Sequence, residues 1–202
     1  MELHAPSRTV LAGTDSDLVD ATVAELVRLL GRAADCTLTA KPLEVRRLDH
    51  RVAGEGGAHV SFRFRVQEGA ACREGCLLLP FPEANTLAGR HLMLPPRAVS
   101  AWRKLPRPDE DAKEALRQLD RVVATAIDRA LVAFTYGRQT VRPRGPQGVR
   151  SGIRPALAYE DGDELLVAVL DARLETYPPF YMLLMLPPPE PGFGQESEAD
   201  LS

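Results

Sequence analysis

Asparagine is nearly missing from this chain, since Asn85 is the only one among 202 residues. The short amide of asparagine is one of the side chains that can hold a water molecule in a fixed position. The helix expected over residues 110–134 contains none. That helix therefore lacks one simple means of directing water at a substrate.

Cysteine is scarce and odd in number, with Cys36, Cys72 and Cys76, and no basic and then apolar leader opens the sequence. Both features argue against secretion and a disulfide framework and predict a cytoplasmic protein. The Cys72/Cys76 spacing suggests half of a zinc site, which His59 approaches if the flanking strands form a hairpin. Because structural zinc needs four N or S ligands and only four histidines exist, we expect buried or edge thiols, no metal and no cofactor.

The sequence has no apolar run of about 18 residues, which excludes a membrane-spanning helix. The net charge of −3 is small and mixed in sign, so neither nucleic acid nor an acidic membrane is an expected partner. Five arginines and no acid lie between residues 138 and 154, and the segment after Pro187 is acidic. We interpret these as a solvated loop and a solvated tail. A Gly-x-Ser-x-Gly motif and a phosphate-binding glycine loop are also absent, which disfavours a conventional hydrolase.

With 45% hydrophobic and 26% charged residues, the chain can bury an ordinary core. We predict a flexible lead-in over residues 1–13, a single α/β domain over 14–187 and a disordered acidic tail over 188–202.

Two amphipathic helices are predicted. The first follows the capping residues 14–17 and ends at Gly31. The second runs over residues 110–134, opens with acids at the positive end of its dipole and ends at Gly137. Its apolar residues keep a spacing of three and four through four turns, which indicates packing against a broad surface such as a sheet.

The remaining pattern is mostly β. Residues 59–65 alternate apolar and polar, as in a half-buried antiparallel strand, and 76–79 is the expected partner. Further strands are predicted at 37–48, 139–142, 153–159, 164–170 and 180–186, with a turn at 160–163. A helix begins near residues 82–89, capped by Glu83 or Asn85, and a short helix surrounds Trp102.

The two halves repeat one order: helix, Gly-Arg, strand and hairpin. This suggests a duplicated unit with a pseudo-twofold axis. The predicted fold class is α+β, with two main helices packed on one antiparallel sheet.

The order of strand, Pro-Phe-Pro-Glu-Ala-Asn-Thr-Leu-Ala-Gly at residues 80–89, Pro-rich connection and acid-opened helix resembles the CheC and CheX chemotaxis phosphatases and the related middle domains of flagellar switch proteins. The similarity spans residues 10–187. It implies a CheC/CheX-like fold, and in the active relatives removal of phosphate from a CheY-like response regulator.

The resemblance also implies a place for chemistry on the long helix. The signature of the active relatives is Glu-x-x-Asn, in which the amide holds water in line with an aspartyl phosphate. On this chain the pattern falls on Gln118 and Arg121, and Glu-x-x-Asn occurs nowhere. A glutamine amide can still orient water, whereas a long cation can bind and shield the phosphate instead. Gln118, Arg121 and Thr125 then form one polar strip beside the apolar stripe, where a partner could bind.

Three functions follow from this sequence. The leading hypothesis is a non-catalytic or degenerate CheX-like interaction module in bacterial two-component signalling, chemotaxis or motility, which binds a CheY-like receiver, a flagellar component or a second copy. The second is an active aspartyl-phosphate phosphatase that uses Gln118. The third is a structural homo-oligomer in which the apolar strand 181–186 pairs across a dimer edge.

Overall fold

The computed structural model describes residues 13–135, 138–158, 163–175 and 177–188. The predicted lead-in as far as residue 12, the glycine at 137, the turn at 160–162 and the tail from 189 onwards lie outside these residues. The described elements, in chain order, are α1 (Gly13–Ala33), β1 (Leu38–Leu48), β2 (His59–Glu68), β3 (Ala71–Pro80), α2 (Phe81–His91), α3 (Pro96–Arg103), α4 (Glu110–Thr135), β4 (Gln139–Val149), β5 (Leu165–Leu174) and β6 (Phe180–Leu186).

The six strands form one antiparallel sheet in the order β1-β5-β6-β3-β2-β4. Exchanging β1 with β4, β2 with β5 and β3 with β6 reverses this order and preserves every neighbour. Each edge strand also carries one bulge at its sixth residue, Leu43 in β1 and Arg144 in β4. The predicted α+β class and pseudo-twofold duplication are therefore confirmed.

The long helices cover one face of the sheet, because their apolar stripes and the alternating residues of the strands point into the same core. α1 contributes Leu18, Val23, Leu26 and Leu30, and α4 contributes Leu116, Leu119, Val123 and Ile127. β2 contributes Val60, Phe62, Phe64 and Val66. Burying such a side chain stabilises the fold by about 1.5–3 kcal/mol, so the two stripes hold the helices on the sheet.

The opposite face of the sheet carries a smaller core beneath an irregular segment, residues 153–158, which we call the cover. Its buried residues are Cys76, Leu78, Val149, Leu157, Leu165, Val167 and Met185. Residues 153–158, which the sequence predicted as a strand, form no strand. Pro155 has no N–H, while the N–H groups of Ala156 and Ala158 donate to the side chains of Gln147 and Glu74. Side chains, rather than a neighbouring strand, hold this segment.

Glu74 is the anchor of that cover. Its carboxylate is nearly buried and accepts hydrogen bonds from Arg144 Nε at 3.0 Å and from the Ala158 N–H at 2.8 Å, with Arg65 Nη2 at 3.5 Å. The arginine-rich stretch predicted as a solvated loop therefore includes an edge strand, β4, one of whose arginines, Arg144, is bonded to the carboxylate that holds the cover.

The first helix does not end at Gly31 as predicted. It continues to Ala33 and closes with a Schellman motif, in which Asp35 adopts a positive φ of 45°. The Cys36 N–H donates to Gly31 O at 3.0 Å, and the Asp35 N–H donates to Arg32 O at 3.4 Å. A Cβ on Gly31 would lie 3.0 Å from Cys36 O, so glycine is used here for close approach of the returning chain.

The prediction that strand 181–186 lies at a dimer edge is wrong. β6 is hydrogen-bonded to β5 on one side and to β3 on the other, in the middle of the sheet. The edges belong to β1 and β4.

Candidate functional site

The predicted strip lies on the solvent side of α4. Arg121 and Thr125 are exposed, and Gln118 is half-buried. The strip borders the buried stripe of Leu119, Val123 and Ala126, which fixes the rotation of the helix. The fold thus brings all three residues to one accessible flank.

Gln118 is engaged by another side chain. Its Oε1 lies 2.8 Å from His91 Nε2, while His91 Nδ1 lies 2.9 Å from the carbonyl oxygen of Ala33. A neutral imidazole has a single N–H, and donation to Ala33 O leaves Nε2 as an acceptor. Gln118 then donates to Nε2 with its amide turned by 180°, which puts the N–H group in the place of Oε1. His91 therefore joins the ends of α1 and α2 to the middle of α4. It is also hydrogen-bonded to Gln118, the side chain that the sequence predicted as the catalytic candidate.

A second link braces the same corner. Arg90 Nη2 donates to the Asp35 carbonyl at 2.8 Å and to Glu175 Oε1 at 2.5 Å. Adjacent residues at the end of α2 thus hold both the turn after α1 and the turn after β5. The corner next to Gln118 is fixed by several hydrogen bonds from separate segments, which disfavours its opening to admit water.

Arg121 and Thr125 line a groove between α1 and α4. Its volume is about 410 Å³, and its lining is Leu29, Arg32, Ala33, Arg121, Val122, Thr125 and Arg129. The Thr125 hydroxyl donates to the Arg121 carbonyl at 2.8 Å, so it is tied to its own helix. The two predicted binding residues therefore belong to a larger surface that includes the last turn of α1.

Asp120, which sequence reasoning missed, lies on the other side of Arg121 in the chain. It is only 3% exposed, and its Oδ2 accepts the Gly145 N–H at 2.9 Å. Its Oδ1 is buried and has no hydrogen-bond partner among the described residues. Burial raises the pKa of this carboxyl to about 6, although the Gly145 N–H and the charges of Arg63 and Arg121 act in the opposite direction. Asp120 secures the bulge of β4 to α4 and does not face the groove.

Glu83 and Asn85 do not cap α2 as the sequence predicted. The helix begins at Phe81 after Pro80, without a side-chain cap. Glu83 binds Arg103 Nη2 at 2.5 Å, and Asn85 Nδ2 donates to the Trp102 carbonyl at 3.0 Å. Both side chains are buried and join α2 to α3, so the single asparagine has a structural contact.

The thiols and His59 are not assembled into a site. β2 and β3 do form the hairpin, but His59 pairs with Pro80, four residues beyond Cys76 along β3. Cys72 is exposed, and burial raises the pKa of the Cys76 thiol to about 12. Within the described ranges, no three His, Cys, Asp or Glu side chains are arranged to hold a metal ion.

No protein-family model and no curated protein matches this sequence. Solved structures do match, and they define the class: the chain has the fold of the CheC and CheX chemotaxis proteins, of FliY and of the FliM middle domain. The resemblance seen in the sequence is therefore confirmed for the fold. Among the helices of the described residues, none is long and apolar enough to cross a membrane.

Three structures illustrate the match. FliY of Thermotoga maritima has a TM-score of 0.62 at 11% identity and covers 89% of this chain and 92% of its own. CheX of Desulfovibrio desulfuricans has a TM-score of 0.56 at 10% identity and covers 84% and 99%. The FliM middle domain of Helicobacter pylori has a TM-score of 0.60 at 9% identity and covers 86% and 90%. At these identities the similarity is one of fold.

Proposed function

We propose that this protein is a chemotaxis-related or motility-related binding module with the CheC/CheX fold, and that it has no phosphatase activity. The observation that carries the proposal is the hydrogen bond between the side chains of Gln118 and His91. In addition, an exposed arginine, Arg121, lies where the resemblance places the catalytic asparagine. The strip on α4 remains accessible to a partner, while the groups that would position water are engaged or replaced.

The partner is a receiver domain or a component of the flagellar machinery. Among proteins of this fold, FliM of H. pylori has been crystallised in complexes with FliG and with SpeE. Such complexes support the idea that this fold serves as a protein-binding scaffold. The proposal includes a cytoplasmic location, because these partners act there.

The phosphatase alternative requires Gln118 to leave His91. A side-chain hydrogen bond of this kind contributes about 0.5–1.5 kcal/mol, so release is affordable only if a partner replaces the bond. His91→Ala would free the Gln118 amide and therefore tests the alternative directly.

The experiment measures binding and phosphate release side by side. Receivers and flagellar components from the same genome are titrated against the protein by calorimetry, and phosphorylated receivers are followed for loss of phosphate. We expect binding by at least one candidate and an unchanged rate of phosphate loss with the wild type. Faster phosphate loss that disappears in Gln118→Ala would establish the phosphatase instead. Absence of binding to every candidate would refute the proposal.

A further inference from the structure

The groove between α1 and α4 has a basic rim. Arg32 extends from the last turn of α1, while Arg121 and Arg129 extend from α4. All three are exposed, and none makes a salt bridge or side-chain hydrogen bond within the described part of the chain. Among the described residues, the groove lining contains no acid. This local excess of positive charge contrasts with the net charge of −3 of the whole chain.

The surrounding acids only partly offset this charge. Glu25 on α1 binds Arg28, which lowers the pKa of its carboxyl, and the charge of Arg129 contributes to the same lowering. Glu114 binds Arg117, and the charge of Arg121 contributes to the lowering of its pKa. Each of these acids therefore already has an arginine partner outside the groove, which leaves the rim basic.

The floor of the groove is apolar. Leu29, Ala33 and Val122 are half-buried, and they lie between the arginines of the two helices. A ligand that matches both parts needs negative charge at its margins and an apolar side chain between them.

The spacing of the arginines selects among anions. Arg121 and Arg129 are eight residues apart on one helix, a rise of about 12 Å. Arginines whose backbone positions are spread over that length of α4, with Arg32 on the other helix, match several separated anionic groups better than a single phosphoryl group, and a phosphate offers nothing to the apolar floor. Carboxylates spread along a peptide, with an apolar side chain among them, satisfy both demands.

We infer that this groove binds an acidic segment of a protein partner, which presents carboxylates to Arg32, Arg121 and Arg129 and an apolar side chain to Leu29 and Val122. The inference rests on the proposed binding function and names the chemistry of its partner. Because the rim is exposed, its charges contribute mainly to association rate and selectivity, and the affinity should fall as salt rises.

The test uses labelled peptides as probes, followed by fluorescence anisotropy with the full chain. The first probe is a 14-residue peptide with glutamates spaced over about 12 Å and one central leucine. The second has serine in place of leucine, and the third has lysine in place of every glutamate. We expect binding of the first peptide, at least fivefold weaker binding of the second, no binding of the third, and at least tenfold weaker binding of the first at 300 mM than at 50 mM NaCl.

Charge reversal on the protein then locates the site. Arg121→Glu and Arg129→Glu should each weaken the first peptide at least tenfold. The matched control is Arg154→Glu, an exposed arginine in the cover on the opposite face of the sheet, which should leave affinity within twofold. Circular dichroism checks that all variants fold, and Arg121→Gln and Arg129→Gln provide milder substitutions at the same positions.

Three outcomes would overturn the inference: equal binding of the acidic and basic peptides, equal weakening by Arg154→Glu, or displacement of the peptide by inorganic phosphate at equimolar concentration. The proposed function fails separately. If a receiver or flagellar component binds with an affinity unchanged by Arg121→Glu and Arg129→Glu, the groove assignment is wrong while the binding function stands. If the acidic peptide binds but no such protein does, the groove stands and the proposed function is wrong.

Discussion

Replacement of Asp120 by asparagine should stabilise the protein at neutral pH. The carboxyl is 3% exposed, and one of its oxygens has no hydrogen-bond partner in the part of the chain that the structure describes. Its pKa in the folded protein is raised to about 6 from an ordinary value of 3.8, mainly by burial. An asparagine at this position carries no charge and can still accept the Gly145 N–H through its Oδ1.

The direction of this change in stability follows from proton binding by Asp120. Between pH 4 and 6 the folded protein holds a proton on Asp120 more tightly than the unfolded chain does, so its contribution to stability falls as pH rises through this range. A difference of about two units corresponds to a loss of up to about 3 kcal/mol, which is complete above pH 7. Asp120→Asn removes this loss. The free energy of unfolding of the variant should therefore exceed that of the wild type by about 1–3 kcal/mol at pH 7.5 and by little at pH 4.

The measurement is urea unfolding of both proteins at half-unit steps from pH 4 to 8. The difference in free energy of unfolding between variant and wild type cancels the titration of groups common to both. That difference should grow from pH 4 to pH 7 and then level off. Asp120→Ala, which removes the acceptor of the Gly145 N–H, should be less stable than Asp120→Asn at every pH. A pH-independent difference, or a variant weaker than the wild type at pH 7.5, would refute the reasoning.

Three further predictions concern the sheet, its cover and the corner at Gln118. Gly75→Ala should lower the free energy of unfolding by about 3 kcal/mol or more in chemical denaturation, because the added Cβ would lie 2.4 Å from Met185 O. The control is Gly148→Ala, which has open space around the added Cβ and should change that free energy by less than about 1 kcal/mol. Equal effects of the two substitutions would contradict this prediction. Glu74→Ala should speed tryptic cleavage after Arg150 several-fold, since it removes the acceptor of the Ala158 N–H, and unchanged cleavage would show that other contacts hold the cover. His91→Ala should lower the free energy of unfolding by about 1–3 kcal/mol, because it removes hydrogen bonds to Ala33 and Gln118. In a double-mutant cycle, Gln118→Ala should destabilise the His91→Ala variant less than it destabilises the wild type. Strictly additive effects would argue against the hydrogen bond between the two side chains.

The sequence was sufficient for the main helices, for most of the strands and for the duplicated architecture, but not for the segment 153–158 or the full length of β4. Burying one face of a helix produces the spacing of three and four seen in α1 and α4, and burying one face of a strand produces the alternation seen in β2. These elements can therefore be predicted from the sequence alone. The position of β6 was also legible in principle. Its continuous apolar run is typical of a strand covered on both faces, which indicates the centre of a sheet rather than an edge.

The candidate site was only partly predictable. Periodicity placed Gln118, Arg121 and Thr125 on one flank, and the structure agrees that they share it. The contact between Gln118 and His91 joins residues 27 positions apart on different helices, and no local pattern signals it. The basic groove was missed for the same reason, because Arg32 reaches it from α1, which approaches α4 only through the tertiary fold. Asp120 sits next to the apolar stripe, and its position there was the one available signal of burial.

The central place of β6 has a consequence for synthesis on the ribosome. The other five strands precede it in the chain, yet β5 and β3 meet only through β6. Until β6 is available, the growing polypeptide holds two incomplete sheets, each with an open hydrogen-bonding edge toward the missing strand. Such edges are sites of improper association, so a nascent chain halted before residue 180 should depend on chaperones far more than the finished one does.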